Sequence, residues 1–297
     1  MDAYPTLALA KVQQMADAAK ADAPRAIAFQ GAPGANSHLA ALQYDAGCLP
    51  YPCFSFEDSI AAVQDGTCDR AIIPIENSLH GRVADIHFLL PESGLSIADE
   101  YFMPIRHFLM GKQEGMTPQR VWSHPQALGQ CRNYLRAHNM RPVPYVDTAA
   151  AAAFVAGTDE DGSAAIAPEI SAQLYGLHVI AANIEDADHN MTRFVILARE
   201  ANDPAQLSGH LMTSFIFEVK NVPAALYKAM GCFATNRVNM TKIESYQNQG
   251  SFAATEFYAD VEGAPGDPAV DQAFEELAFH CSKVRLLGSY RQARKRG

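Results

Sequence analysis

Along most of the chain, short apolar runs bounded by turn residues alternate with stretches whose apolar residues recur every three or four positions. Leu9, Val12, Met15 and Ala19 fall near helical spacing and predict an N-terminal helix within residues 1–24. Arg25 to Phe29 reads as a short buried strand. A glycine-containing turn, Gln30 to Ser37, then leads into a helical run from His38 to Tyr44, with Asn36 or Ser37 placed to cap it. Tyr51 to Ser55 reads as a strand, Phe56 to Asp65 as a helix and Arg70 to Ile75 as a third strand, an alternation that predicts parallel βαβ units. Leu95 to Met110 looks like an extended crossing into a second unit of the same kind. There the pattern gives a strand ending at Trp122, a helix from Pro125 to about His138 and a strand over Val143 to Val146. An Ala-rich helix capped at Asp147-Thr148 follows, then a strand over Ala164 to Ala167, a helix from Pro168 to Tyr175 ended by Gly176, and a strand over His178 to Ile184. The chain then reaches the apolar run Phe194 to Leu197.

Residues 201–211 are polar, contain Pro204 and read as a linker. Beyond them Phe215, Phe217 and Val219 alternate as in a strand, and Leu226, Met230 and Phe233 stripe a helix. Met240 to Tyr246 and Ser251 to Asp260 read as strands around the turn Gln247 to Gly250. Val270, Phe274, Leu277 and Cys281 stripe a second helix, and Val284 to Leu287 forms the last strand. The order βαββαβ over 212–290 is the ferredoxin-like split βαβ pattern. The tail 291–297 reads as a solvated basic end.

Composition narrows the function classes. The 297 residues suit about two domains, with 48% hydrophobic and 19% charged residues. The net charge of −10 argues against nucleic acid as a partner and requires a locally positive site for any anionic ligand. The six cysteines show neither a C-x-x-C pair nor zinc-ligand spacing, so they read as reduced thiols of a cytoplasmic protein. The N-terminus lacks the continuous apolar core of a signal peptide, and no run approaches the length that spans a membrane. No ligand spacing calls for a metal, and no cofactor is expected.

Candidate chemistry gathers at strand ends. Thr192-Arg193 puts a hydroxyl and a guanidinium side by side at the mouth of the strand beginning at Phe194; a polar loop before a core strand is the plain alternative. Polar rims also stand at 30–37, at Glu76 to Arg82, at Ser123 to Gln126 and at Asp147-Thr148. Each one alone reads equally as a tight turn or a solvated loop. Ligands of open α/β sheets bind outside the carboxyl ends of strands. Two α/β lobes, about 25–105 plus 187–200 and about 106–186, would face these rims into one cleft, an arrangement that resembles a type II periplasmic binding protein.

Several motifs recur together in order. Pro74-Ile75-Glu76-Asn77-Ser78 with Gly81, Ser123-His124-Pro125-Gln126-Ala127, Asp147-Thr148-Ala149 and Thr192-Arg193-Phe194 precede Asn221-Val222-Pro223-Ala224-Ala225-Leu226 and Ile243-Glu244-Ser245. With these the chain resembles the monofunctional prephenate dehydratases, from about Ala26 to Tyr290: a catalytic domain over 25–200 followed by an ACT regulatory domain over 212–290. The resemblance implies conversion of prephenate to phenylpyruvate, water and carbon dioxide. It implies Thr192 as the donor to the leaving hydroxyl, and Asn36, Ser37, Asn77, Ser78, Gly81, Ser123, His124, Gln126, Ala127, Thr148, Arg193 and Phe194 as substrate contacts. Glu76 is expected to orient the backbone or an arginine. The regulator, phenylalanine, would meet Asn221, Ala224, Ala225, Leu226, Asn239, Glu244 and Ser245, in a homodimer or homotetramer.

The chain departs from the family pattern at Gly34-Ala35-Asn36-Ser37, where Ala35 lacks a hydroxyl. It departs again at Ala224, where glycine is usual, and at Tyr246-Gln247 after Glu244-Ser245. Arogenate as substrate, and a non-catalytic small-molecule sensor, are the alternative functions.

Overall fold

The computed structural model describes residues 4–246 and 256–296. Through the first two-thirds of the chain the elements run α1 (Thr6–Ala21), β1 (Ala26–Gln30), α2 (Asn36–Tyr44), β2 (Leu49–Cys53), α3 (Phe56–Gln64), β3 (Arg70–Asn77), β4 (Gly81–Arg82), α4 (Ala84–Glu92) and β5 (Ser96–Pro104). They continue as β6 (Phe108–Gly111), β7 (Arg120–Ser123), α5 (Pro125–Gln130), α6 (Arg132–Ala137), β8 (Arg141–Pro144), α7 (Thr148–Gly157), β9 (Ser163–Ala167), α8 (Glu169–Tyr175), β10 (His178–Ala181) and β11 (Met191–Ala198). The rest is β12 (Leu211–Val219), α9 (Ala225–Thr235), β13 (Met240–Tyr246), β14 (Glu256–Glu262), α10 (Pro268–His280) and β15 (Cys281–Arg291). The expected turn at 247–250 and the first part of the strand expected from Ser251 lie outside the described residues.

The strands form three sheets, in the orders β2-β1-β3-β11-β5 with β4 beside β3, β10-β6-β9-β7-β8, and β13-β14-β12-β15. In the first, β1 is parallel to β2 and β3, and in the second β7 is parallel to β8 and β9. The βαβ reading therefore holds in both open sheets, the first drawn from residues 26–104 and 191–198 and the second from 108–181. Strand β6 runs antiparallel to β9 and β10. The third sheet is antiparallel, with its first and last strands adjacent, as the split βαβ pattern requires. Phe215, Phe217, Phe233 and Phe257 fill its core against α9 and α10.

Some local expectations are corrected. The helix expected from Pro125 to His138 breaks at Cys131, whose backbone is not helical (φ −114°, ψ 20°). The cause is the acidic loop after β10. The Gln130 carbonyl accepts the Asp186 N–H at 2.6 Å, and the Asp186 carboxylate accepts the Asn133 N–H at 3.1 Å, so groups a continuous helix would pair internally bond elsewhere. Helix α2 starts after Ala35 with no side-chain cap, so neither Asn36 nor Ser37 caps it. Asp147 does cap α7, accepting from Ala149 and Ala150 at 2.8 and 2.9 Å. Helix α4, which contains Pro91, is not anticipated by the apolar pattern.

The chain divides into two compact units: Met1–Arg82 with Met103–Phe194, and Val83–Phe102 with Val195–Gly297. The division falls within β5 and β11 rather than in the polar segment 201–211, because residues 83–102 pack with the C-terminal part. Within that second unit, Asn202 donates to Ala98 and Ser289 carbonyls at 2.7 and 2.9 Å. A Cβ on Gly288 would stand 2.1 Å from the Ile97 carbonyl oxygen, so only glycine lets β15 approach so closely.

The basic tail is not simply solvated. Arg296 pairs with the buried carboxylates of Glu100 and Asp260, the latter at 3.4 Å, and Ala293 N–H donates to Glu100 at 3.1 Å. Two carboxylates without solvent access need such a cation, which anchors the chain end.

Candidate active site

Strand β3 ends in polar, half-buried residues, and Asn77 there is a hub. Its Oδ1 accepts the N–H groups of Leu79 and His80 at 2.9 and 3.1 Å. Its Nδ2 donates to Asn190 Oδ1 at 2.8 Å, to Thr192 Oγ1 at 2.9 Å and to the Met191 carbonyl at 3.2 Å. Thr192 is thus an acceptor toward Asn77, and its own hydroxyl hydrogen is left for another partner. Ser78 fastens the same two strands: its N–H donates to the Met191 carbonyl at 2.8 Å, its Oγ donates to the His189 carbonyl at 3.0 Å, and it accepts Met191 N–H at 2.9 Å. Gly81, exposed and at φ +75°, turns β3 back into β4, where Asn77 pairs with it across the strands.

Thr192 and Arg193 lie inside β11 rather than ahead of it, 8% and 1% exposed. The Arg193 guanidinium donates to Glu76 Oε1 at 3.1 Å. Glu76 therefore holds an arginine, one of the two orienting tasks expected of it. Arg193 is a buried, paired charge rather than an open one, because a guanidinium this deep needs a carboxylate beside it.

His80, in the turn between β3 and β4, leads from Asn77 to groups of the other lobe. His80 Nδ1 lies 3.1 Å from Asn77 Oδ1 and 3.3 Å from Gln130 Nε2. Gln130 Oε1 in turn lies 2.5 Å from His107 Nε2. Burial lowers the His107 proton affinity, partly offset by Gln130 and Glu185. Between these groups lies a cavity of about 350 Å3, lined by Leu79, His80, Gln126, Gly129, Gln130, Glu185, Asp186, Ala187 and Asn190. That volume falls within the ~300–1,000 Å3 usual for small-molecule sites. Glu185 is held by Arg106 at 2.7 Å and by His107 N–H at 2.9 Å; these bonds keep its carboxyl below the usual range despite burial.

The glycine-containing turn does something other than offer N–H groups to an anion. Gly31 N–H donates to the Cys53 carbonyl at 2.9 Å, Gly34 N–H to His38 Nδ1 at 3.0 Å and Ala35 N–H to the Ala32 carbonyl at 3.0 Å; Ala32 N–H is taken by Asp147. From α8, Ser171 Oγ donates to the Gly34 carbonyl at 2.9 Å and Tyr175 OH to the Pro33 carbonyl at 2.7 Å. The turn is a latch between the lobes. Burial raises the Asp147 carboxyl, opposed by the N–H groups of Ala150, Ala149 and Ala32 and by His124. Burial lowers His38 to about 4, and its ring stacks on Phe29.

The remaining expected residues divide. Gln126 is exposed and lines the cavity. His124 caps α5 through Nδ1, which accepts Gln126 N–H at 3.3 Å. Ser123 is fully buried and donates to the Ile166 carbonyl at 2.6 Å. Ala127 and Phe194 also lie in the interior, as does Ser37, while Asn36 and Thr148 are half-buried.

In the second unit, Asn221 and Ala224 are exposed at the turn into α9, with Ala225 buried and Leu226 half-buried behind them. Ala224 has left-handed backbone (φ 61°, ψ 19°), where glycine is favoured. Asn239 lines a groove of about 470 Å3 between α9 and β13, whereas Glu244 Oε1 accepts from Lys242 at 3.3 Å. Gln130, His107 and Asn190 are not among the contacts implied by the sequence, and His80 enters there only within the rim Glu76 to Arg82. Asn190 could have been found, since it stands two residues before Thr192 and so shares its side of an extended chain.

Among the described residues no three His, Cys, Asp or Glu side chains group as metal ligands, and no helix is long and apolar enough to cross a membrane.

Comparison with known proteins identifies the family. The sequence model of the family described as prephenate dehydratase matches residues 27–202. A protein of Komagataeibacter europaeus named bifunctional N-acyl-homoserine lactone acylase/prephenate dehydratase is 44% identical over 90% of this chain and 95% of its own. Arogenate dehydratase/prephenate dehydratase 1 of Arabidopsis thaliana is 37% identical over 89% of this chain and 71% of its own. The crystal structure of an Arthrobacter aurescens prephenate dehydratase with L-Phe superposes with a TM-score of 0.81, at 29% identity, over 90% of each chain. The match spans the strands that carry Asn77 and Thr192, and on it the chain belongs to the prephenate dehydratase family.

Proposed function

We propose that the site between Asn77, Thr192 and the cavity beside them dehydrates and decarboxylates prephenate to phenylpyruvate. In this reaction the ring C–O bond breaks and the hydroxyl leaves as water after taking one proton. The bond to the ring carboxylate breaks as CO2 departs, and its electron pair completes the aromatic ring. The protein has to orient the ring and supply hydrogen bonding to the departing oxygen, a contribution of typically ~10²–10⁴-fold. The observation that carries the reading is the bond from Asn77 Nδ2 to Thr192 Oγ1: it occupies the hydroxyl as an acceptor and leaves its hydrogen to donate. Arg193, paired with Glu76, fixes the strand and adds positive potential for a dianion, and Gln126 and His80 line the space for its polar groups.

The C-terminal βαββαβ module is an ACT domain in this reading, with L-phenylalanine as effector in a homodimer or homotetramer. The phenylalanine held by the Arthrobacter relative supports this, as do the exposed Tyr227, Val222, Met230 and Ile243 on and beside α9 and β13. The six buried free cysteines fit a cytoplasmic enzyme. Arogenate carries the same ring and leaving group, and relatives named for both substrates are 37% and 36% identical to this chain over the aligned residues. The test is purified protein with prephenate or arogenate in parallel. Phenylpyruvate formed from prephenate supports the reading, and turnover of arogenate alone overturns the choice of substrate.

A further inference from the structure

The hydrogen bonds around Asn77 leave one donor over. Two backbone N–H groups fix Asn77 Oδ1, so its amide cannot flip and Nδ2 is the end that meets Asn190 and Thr192. Asn190 must then present Oδ1 to Asn77, at 2.8 Å, and turn its own Nδ2 elsewhere. That Nδ2 is buried and meets no acceptor among the described residues, in a residue 2% exposed. The backbone cannot swing it away cheaply, because the Asn190 carbonyl accepts Ile105 N–H at 2.9 Å. Native interiors rarely leave such a donor unmade. Asn190 also lines the cavity shared with His80 and Gln126.

We propose that Asn190 is a substrate-binding residue, its amide hydrogen given to a carboxylate oxygen of the bound dianion beside the Thr192 hydroxyl. The inference rests on the dehydratase reading above. Asn190 Oδ1 and Thr192 Oγ1 accept from the same Asn77 nitrogen, so the two side chains are neighbours and one small ligand reaches both. A carboxylate is the acceptor that gains most from a buried N–H, since hydrogen bonds to charged groups are about twice as strong as neutral ones. The two acids of the cavity do not compete for that hydrogen. Glu185 is held by Arg106 and His107 N–H, and Asp186 by Asn133 N–H.

The two halves of the amide can be separated by substitution. Asn190→Asp keeps an oxygen for Asn77 Nδ2 but replaces the donor with a second acceptor. The expected result is a KM for prephenate raised about 10- to 100-fold and kcat within about threefold of wild type, with a lowered melting midpoint because the new carboxylate is buried. Asn190→Ala removes both halves. It should raise KM similarly and also lower kcat, because Asn77 then loses its acceptor; this variant carries the test if the Asp variant does not fold. An unchanged KM in either folded variant, or a loss confined to kcat, overturns the inference while leaving the dehydratase reading intact. A wild-type protein that does not convert prephenate overturns that reading, and the inference with it.

Discussion

At Arg193 the magnitude of the interaction depends on burial. A surface pair would contribute ~0–1 kcal/mol, but Arg193 is 1% exposed and its guanidinium is held by Glu76. Arg193→Ala is therefore expected to destabilise the protein in urea titrations, by less than the ~3–5 kcal/mol of a fully buried pair because Glu76 is 31% exposed, and to raise KM together. Arg193→Lys should recover only part of both, since a point charge lacks the planar fork. Full recovery by lysine would speak against that geometry. His38 gives a pH-dependent term. Its folded-state pKa is lowered from 6.5 to about 4, so between those values the unfolded chain binds more protons and unfolding becomes easier as pH falls. The stability it contributes is complete above about pH 6.5 and lost toward pH 4, by on the order of 3 kcal/mol. His107 is lowered too and adds in the same direction. In His38→Asn an amide oxygen can still accept Gly34 N–H without titrating. Unfolding free energies measured from pH 7 to pH 4.5 should fall more steeply in the wild type, by about one proton; equal slopes would contradict the assignment.

At the scale of elements, the latch between the glycine-containing turn and α8 makes Gly34 and Gly66 an instructive pair. Both have positive φ, but a Cβ on Gly34 would stand 2.5 Å from Ser171 Oγ and 3.2 Å from Ser171 Cα, whereas one on Gly66 meets nothing within 4 Å. Gly66→Ala should cost about 1 kcal/mol from backbone conformation alone. Gly34→Ala should cost about 3 kcal/mol and lower kcat as the lobes lose their register, as measured by chemical denaturation and turnover. The latch also marks how far the sequence could be read. Strand β3, the Asp147 cap and the split βαβ module follow from period, capping chemistry and turn residues, which are local. The role of 31–35 depends on Ser171 and Tyr175, far along the chain, and no local pattern could announce that its N–H groups are already engaged. The break at Cys131 has the same origin, since Asp186 takes the Gln130 carbonyl. Thr192 and Arg193 were legible as a motif, but their depth inside β11 was not. Burial is set by the neighbouring strands rather than by the two residues themselves.

For the whole molecule, the proposed regulation would act through a module that shares its unit with residues 83–102, through contacts such as Arg296 with Glu100 and Asn202 with the Ala98 carbonyl. Cutting the chain after residue 208 would strip those partners, so a point substitution tests regulation more cleanly. Ala224 holds a left-handed conformation that costs an alanine roughly 1 kcal/mol relative to glycine. Ala224→Gly should stabilise the protein by about that amount and strengthen phenylalanine inhibition severalfold, while kcat without effector is unchanged. Inhibition curves with added phenylalanine check this, and an unmoved half-inhibition concentration would place the effector elsewhere.

The central claim is that the Thr192 hydroxyl, which accepts from Asn77, serves the departing oxygen of prephenate. The most direct measurement is the ultraviolet absorbance of phenylpyruvate formed from prephenate by the wild type, Thr192→Ser and Thr192→Ala at equal concentration. The account predicts turnover by the wild type and much of it by the serine variant, which keeps the hydroxyl. It predicts a kcat lower by roughly 10²-fold or more in a folded alanine variant. An alanine variant with near wild-type kcat would contradict it.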